Sequence, residues 1–148
     1  MTSDRSDEPA RRNLDRSLGD GGMPLLGQLG LDFDGYGDGW AEAAWVPTDL
    51  ACNPAGIVHG GVYGVIHDAA MNFAIGTALD RGDRAATLDL QYQTIRAAAA
   101  GAGLRVRGDL TRVTRQIAYV DSVVRNAEDQ VVSKATATFM LRRASESR

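Results

Sequence analysis

The chain has 148 residues, of which 44% are hydrophobic and 24% charged, so it can form one folded domain of ordinary size. Its formal net charge of −3 disfavours a nucleic-acid-binding protein, because such proteins are usually basic. A single cysteine, Cys52, excludes an intramolecular disulfide framework. No run of about 18 apolar residues predicts a membrane-spanning helix. The N-terminal residues are polar and show no secretion signal, so we expect a cytoplasmic protein that does not contact membranes.

Composition divides the chain into one domain and two short tails. Residues 1–22 are rich in charged residues, serine and glycine, and cannot bury much apolar surface. We predict a mobile tail over residues 1–22, a single domain over residues 23–143 and a C-terminal tail over residues 144–148.

The first third of the domain predicts a short helix and a hairpin. Three leucines favour the helix over residues 23–30, and alternating apolar residues favour strands over residues 31–36 and 40–46. Glycines on both sides of Asp38 predict the turn between these strands. Residues 47–56 contain two prolines and predict a loop.

Residues 60–79 form the only long helix candidate, and both of its faces are small or apolar. Such a helix is usually buried on two sides. We therefore expect one face to pack on the chain's own sheet and the other to meet a two-fold partner. The first set comprises Val62, Ile66 and Phe73, and the second comprises Gly61, Gly64, Asp68 and Met71.

The remaining chain predicts four strands, over residues 86–94, 104–113, 117–124 and 131–141, with Gly108 as a candidate bulge. In the first of these strands, Leu88, Leu90 and Tyr92 alternate with Thr87 and three other polar residues. A hairpin, one long helix and four further strands predict an α+β fold, in which an antiparallel sheet packs on the helix.

The start of the long helix carries a pattern with chemical meaning. Gly60 and Gly61 leave the first-turn N–H groups open, so a substrate carbonyl could approach them and use them as an oxyanion hole. Asp68 lies about 12 Å further along the same helix, too far to attack a carbonyl held at that helix's own start. The pair can act together only if a second copy of the chain brings its Asp68 to this Gly60. The spacing therefore predicts a dimer.

The pattern N-x-x-G-x-x-H-G-G-x₆-D-x-A, from Asn53 to Ala70, resembles the hotdog-fold acyl-CoA thioesterases of the phenylacetate-pathway (PaaI-like) type. Residues 87–92, TLDLQY, resemble that family's third strand, and residues 132–139, VSKATATF, resemble its last strand. The resemblance extends over residues 25–141. It implies a hotdog fold, a sheet wrapped around one long central helix, in a dimer that pairs further into a dimer of dimers.

The resemblance also assigns roles to single residues. It implies that Asp68 is the nucleophile or general base, and that the Gly60 N–H polarises the thioester carbonyl. Asn53 would orient the thioester or the attacking water, and Thr87 would help to place that water near the carboxylate across the dimer. Asn53 precedes a proline, so the alternative of a plain turn residue stays open.

Five further residues are candidates for substrate binding. His59 and Gly61 belong to the motif, although the alternative stays open that His59 only caps the loop by a hydrogen bond to the backbone. Tyr63 is bulkier than its counterpart in many relatives and is expected to narrow the acyl pocket. Arg96 and Arg115 are candidate contacts for coenzyme A, because guanidinium groups suit its phosphates. His67, directly before Asp68, also departs from many relatives.

The sequence predicts hydrolysis of an acyl-CoA thioester to a free acid and CoA. A thiolate leaves readily, so we expect no metal and no other cofactor; His59 and His67 lack a third ligand nearby. Two alternatives stay open: a hotdog module that binds acyl-CoA without catalysis, and a hotdog dehydratase. An unpaired carboxylate on a buried helix face is costly, so Asp68 favours catalysis over binding alone.

Overall fold

The computed structural model describes residues 18–144, which form one antiparallel sheet and two helices. The elements in chain order are α1 (Pro24–Gln28), β1 (Leu31–Gly37), β2 (Trp40–Trp45), a 3₁₀ turn (Asp49–Ala51), α2 (Gly60–Gly76), β3 (Arg84–Thr94), β4 (Leu104–Val113), β5 (Ile117–Arg125) and β6 (Val131–Arg142). The predicted α+β class and the predicted order of elements are confirmed. The long helix ends three residues earlier than expected, with Thr77 as its C-terminal cap.

The six strands form a single sheet in the order β1-β2-β4-β5-β6-β3, and every neighbouring pair is antiparallel. Strand β3, which directly follows α2, therefore lies at one edge of the sheet, and β1 lies at the other. Because only β6 pairs with β3 among the described strands, the outer edge of β3 keeps its backbone hydrogen-bonding groups open.

Helix α2 packs across the concave face of the sheet, in contact with all six strands. The closest approach is at Gly108 on β4, where an added Cβ atom would lie 2.5 Å from the Ala70 carbonyl oxygen. The prediction of a bulge at Gly108 is wrong. Gly108 pairs regularly with both neighbouring strands, and the β4 irregularity lies between Leu110 and Arg112. This glycine allows the helix backbone to lie directly on the sheet.

The face of α2 that packs on the sheet differs in part from the prediction. Ile66 is fully buried as expected, and Phe73 is buried against Phe33 of β1, with ring centroids 4.4 Å apart. Met71 is fully buried within the chain, so its predicted place on a partner-facing surface is wrong. Val62 is only half-buried. The buried face of the helix is formed by Tyr63, Ile66, His67, Ala70, Met71 and Ala74.

A bulge in β3 changes which of its side chains face the helix. Thr87 pairs with the buried Phe139 and Leu90 pairs with the buried Ala137, so both point to the concave face. The register shift between Thr87 and Asp89 leaves Leu88 half-exposed. Simple alternation places Thr87 and Leu90 on opposite faces, and this expectation is wrong because the bulge adds one residue between them.

The ends of the described chain differ slightly from the predicted tails. Within the segment predicted as a tail, Gly19 forms an isolated antiparallel bridge with Phe33. The rest of the predicted N-terminal tail up to residue 17, and residues 145–148, lie outside the described residues. Between residues 18 and 144, no helix is long and apolar enough to cross a membrane.

Candidate active site

A groove of about 770 Å³ runs along the outward side of α2. Its walls come from the helix, from β3 and from the segment around α1. The helix contributes small residues and one carboxylate, which are Gly61, Gly64, Val65, Asp68, Ala69 and Asn72. Small side chains at these positions leave space beside the helix that a larger residue would fill, so the groove is a direct consequence of the sequence of α2.

The start of α2 presents one open backbone N–H group. His59 is the N-terminal cap, and its Nδ1 accepts a hydrogen bond from the Gly61 N–H at 2.9 Å. The Gly60 N–H has no hydrogen-bond partner within residues 18–144, and an added Cβ atom at Gly60 would meet nothing within 4 Å. Gly60 thus offers a free donor in open space, whereas the Gly61 donor is occupied by the cap.

Asp68 lies on the groove two turns further along the helix. Its Oδ1 accepts a hydrogen bond from the Thr87 hydroxyl at 2.6 Å, within one chain. Thr87 and Asp68 of one chain thus meet, because the β3 bulge turns Thr87 toward the helix; the predicted role of Thr87 in placing a water across a dimer stays a prediction. The second carboxylate oxygen of Asp68 has no hydrogen-bond partner in the described part of the chain.

Gly60 is the first residue of α2, and Asp68 lies eight residues further along the helix. At 1.5 Å per residue their separation along the axis is about 12 Å. One chain therefore presents a donor and a carboxylate that cannot reach the same thioester carbon.

Tyr92 is a groove residue to which the sequence analysis gave no role. Its hydroxyl donates a hydrogen bond to the Gly60 carbonyl oxygen at 2.9 Å. Its ring covers Gly64, where an added Cβ atom would lie 3.1 Å from the Tyr92 Cε1 atom. A small residue one turn into the helix, facing an aromatic on the neighbouring strand, was the available signal. This signal can be recognised only when the strand register, which places Tyr92 opposite Gly64, is known.

His67 lies on the buried side of the helix and is fully shielded from solvent. The Ser133 hydroxyl donates to the Gln93 carbonyl oxygen at 2.8 Å, so its oxygen accepts from His67 Nε2, also at 2.8 Å. Nδ1 of the neutral ring then accepts from the Ser122 hydroxyl at 2.7 Å. Burial lowers the pKa of His67 from about 6.5 to about 4, because the cation would lose its hydration.

Two of the predicted site residues lie away from the groove. The Asn53 Oδ1 accepts backbone hydrogen bonds from Ala55 at 3.0 Å and Ile57 at 3.1 Å, which stabilises the loop before the helix. Tyr63 was expected to narrow the acyl pocket, but it lies in the core with its ring edge-on to Trp45 at 5.5 Å. Tyr63 points inward because it is one helical turn before His67, on the face that packs on the sheet.

The structure does not bring Arg96 and Arg115 together. Arg96 follows the C-terminal end of β3, and its backbone N–H bonds to the Val132 carbonyl oxygen. Arg115 lies in the β4–β5 turn, level with the opposite end of β3, and its carbonyl oxygen accepts from Arg143. A strand of eleven residues separates the two ends by roughly 35 Å. One ligand cannot contact both arginines of a single chain.

Comparison with protein families places this chain in a known family. The model of the thioesterase superfamily matches residues 55–133, which is more than half of the chain and includes Gly60, Asp68 and Thr87. The chain belongs to the thioesterase superfamily. It is therefore a thioester hydrolase, and the resemblance seen in the His59-Gly60-Gly61 motif is confirmed at the level of the family.

Solved structures agree with this placement. A putative thioesterase from Ralstonia eutropha, described as a phenylacetic acid degradation-related protein, is 32% identical, with a TM-score of 0.77 over 87% of this chain and 99% of its own. PaaI of Escherichia coli is 19% identical, with a TM-score of 0.75 over 83% of this chain and 87% of its own, and it supports the hotdog fold. No curated protein sequence matches the thioesterase significantly.

A third structure bears on the ligand of a relative. A protein of Streptococcus mutans was crystallised bound to acetyl-CoA. It is 25% identical to the thioesterase described here, with a TM-score of 0.70 over 77% of this chain and 90% of its own. Within the matched region, Asp68 lines the groove beside α2, and the open Gly60 N–H lies at the start of the same helix.

Proposed function

We propose that the protein hydrolyses an acyl-CoA thioester to a carboxylic acid and CoA. The observation that carries this proposal is helix α2 of a thioesterase-family chain, which presents the free Gly60 N–H at its start and the Asp68 carboxylate in the groove. The acetyl-CoA complex of the Streptococcus mutans relative supports coenzyme A as the thiol half of the substrate. The apolar residues at the α1 end of the groove, Leu25, Leu26 and Phe33, suit an aryl or a short to medium acyl chain.

In the proposed reaction, the start of α2 stabilises the thioester oxygen, and Asp68 promotes attack on the carbonyl carbon. The thioester oxygen accepts from the Gly60 N–H, which stabilises the negative charge that develops on that oxygen, together with the positive end of the helix dipole. Asp68 acts on the carbonyl carbon in one of two ways: it removes a proton from an attacking water, or it attacks directly and water then cleaves the anhydride. The C–S bond breaks, and CoA leaves as a thiolate. Thr87 holds the carboxylate in place.

The active site is proposed to form between two copies of the chain. A second copy is required because Gly60 and Asp68 of one chain lie about 12 Å apart along the helix. Two features support such a pairing: β3 has an open edge with Leu88 half-exposed, and the outward side of α2 carries small residues that permit close approach. In a two-fold dimer, Asp68 of each chain would face Gly60 of its partner. A dimer of dimers is a further expectation from the family resemblance.

The phosphates of coenzyme A require cationic side chains. Two other arginines are better placed for this role than Arg96 and Arg115. Arg84 and Arg142 lie directly opposite each other on β3 and β6 and line a cavity of about 640 Å³. Neither side chain has an ion pair or hydrogen bond with another described residue. Asp83 lies in the same cavity, but Arg143 neutralises it. Asn72 lines both this cavity and the groove, so we propose that Arg84 and Arg142 bind a phosphate of CoA.

The direct test is a thiol-release assay over a panel of acyl-CoA substrates with aryl, short and medium acyl groups. We expect hydrolysis of at least one member with release of free CoA. A wild-type protein that binds the panel without releasing thiol would overturn the proposal in favour of a binding module. Addition of water to an enoyl-CoA without thiol release would favour a dehydratase.

A further inference from the structure

The first turn of α2 has little intrinsic order. It begins with Gly60 and Gly61 and has no acidic residue, and a third glycine, Gly64, follows at the start of the next turn. Glycine leaves the backbone more freedom than any other residue, so a helix that starts in this way frays easily. Contacts from outside the helix must therefore hold the open Gly60 N–H in one direction.

Two side chains supply those contacts. His59 accepts from the Gly61 N–H on one side of the turn, and Tyr92 donates to the Gly60 carbonyl oxygen on the other. The Gly60 carbonyl belongs to the peptide unit that follows the Gly60 N–H. A bond at that oxygen restricts rotation about the glycine and so restricts the direction of its N–H.

Tyr92 is itself held firmly from three directions. Its strand position opposite the buried Ala135 points the ring toward the helix. The ring covers Gly64, where the absence of a side chain leaves space for it, and its centroid lies 5.9 Å from that of His67. His67 is fixed by Ser122 and Ser133, and Ser133 also bonds to the carbonyl of Gln93, the residue after Tyr92. The tyrosine hydroxyl thus extends a rigid, buried network to the helix start.

We infer that Tyr92 positions the oxyanion-binding turn: its hydroxyl bond to the Gly60 carbonyl aims the Gly60 N–H at the thioester oxygen. This inference rests on the proposed function. An oxyanion donor is effective when its direction is set before the reaction, because no energy is then spent on ordering it in the transition state. Loss of the hydroxyl leaves the groove and the ring in place. The rate of the chemical step falls, while substrate binding is preserved.

Tyr92→Phe removes the hydroxyl alone, and Tyr119→Phe is its matched control. Tyr119 lies on the convex face of the sheet, is 41% exposed and has no role in the groove. We expect Tyr92→Phe to lower kcat about tenfold with KM within about twofold, since loosening a catalytic donor costs less than removing it. We expect Tyr119→Phe to match the wild type. Both variants should keep the wild-type Tm.

Amide hydrogen exchange supplies a readout that does not depend on catalysis. Tyr92→Phe should speed exchange of the amides in the first turn of α2 and leave those near Ala74 unchanged, because only the helix start loses a contact. Wild-type kcat and wild-type exchange in Tyr92→Phe would overturn the positioning role. A wild type that releases no thiol from any acyl-CoA would instead overturn the proposed function, and the positioning role with it.

Discussion

The two faces of α2 carry side chains of opposite kinds. The face toward the sheet is formed by large or fully buried residues, among them Tyr63, Ile66 and Met71. The face toward the groove is formed by small residues and one carboxylate, among them Gly61, Gly64 and Asp68. Burial of the first face supplies hydrophobic stabilisation, whereas the second face leaves a space of about 770 Å³ unfilled.

The neighbours His67 and Asp68 show what this difference means for polar groups. Both ring nitrogens of His67 are hydrogen-bonded, and burial keeps the ring neutral by lowering its pKa. Asp68 has one hydrogen bond, from Thr87, and a second oxygen without a partner within the described range. The polar atoms of His67 are therefore fully hydrogen-bonded in the core, whereas Asp68, the next residue, keeps one oxygen free to react.

The largest expected effect of a single substitution is that of Asp68→Asn. The amide keeps the shape and removes the base or nucleophile, so we expect kcat to fall at least about a hundredfold. The Tm and binding of CoA should be unchanged. Asp121→Asn is the matched control, because Asp121 also accepts from a threonine hydroxyl, that of Thr111, but on the convex face. Equal kcat values for Asp68→Asn and the wild type would remove Asp68 from the mechanism.

Gly60→Ala tests whether a thioester carbonyl approaches the open N–H group at the start of α2. The new methyl group meets no atom of the chain within 4 Å, so folding should be unaffected, but it lies where a thioester carbonyl must approach. We expect kcat/KM to fall about tenfold or more with no loss of Tm. Gly103→Ala, which also places a methyl group in open space, should behave as the wild type. A loss of stability together with unchanged turnover per folded molecule would contradict the oxyanion role of this turn.

Arg84→Gln and Arg142→Gln test whether the groove face extends to a phosphate site. We expect KM for acyl-CoA to rise about tenfold, with kcat unchanged, since each change removes one charged contact. For the same acyl group on N-acetylcysteamine, which has no phosphate, both variants should match the wild type. Arg112→Gln, on β4 and outside this cavity, is the control. An equal rise in KM for both thioesters would argue against phosphate binding.

Among these substitutions, replacement of His67 on the buried face of α2 is expected to change turnover least. The pKa of His67 is lowered to about 4 in the folded state, so the unfolded chain binds a proton more readily than the folded chain. The neutral histidine therefore favours folding above about pH 6.5, and this contribution is lost as the pH falls toward 4. It amounts to about 3 kcal/mol in the free energy of unfolding.

His67→Gln keeps an acceptor and a donor but does not titrate. We expect its free energy of unfolding to fall less steeply than that of the wild type between pH 6.5 and 4.5, by about 1.4 kcal/mol per pH unit. Denaturant unfolding across this range measures the difference. Parallel curves for the two proteins would show that folding does not lower the pKa of His67.

The sequence predicts the fold class well, because the elements differ in periodicity. One long helical stretch stands among strands with period-two alternation, and the glycine-rich helix start and Asp68 belong to the motif that carries the family resemblance. The hairpin is also correct, since Asp38 between two glycines specifies its turn. These features depend on neighbours along the chain, which a sequence shows directly.

The errors concern features that depend on strand register and packing. No residue type marks the bulge at Leu88, yet it decides that Thr87 meets Asp68 and that Leu90 shares its face. The inner face of α2 was misjudged at Met71 because both faces of the helix are apolar or small. Tyr63 was expected at the pocket and lies in the core, whereas Tyr92, which had no expected role, lines the groove; only packing distinguishes the two aromatics.

The central claim is that Asp68 of one chain acts on a thioester held by Gly60 of another. It is tested most directly by mixing two inactive variants, Asp68→Asn and Gly60→Val, under conditions that exchange subunits. In each mixed dimer, one of the two sites then combines an intact Gly60 with an intact Asp68. Random pairing predicts thiol release at about a quarter of the wild-type rate. A mixture as inactive as its two parents, with subunit exchange confirmed, would contradict a site shared between chains.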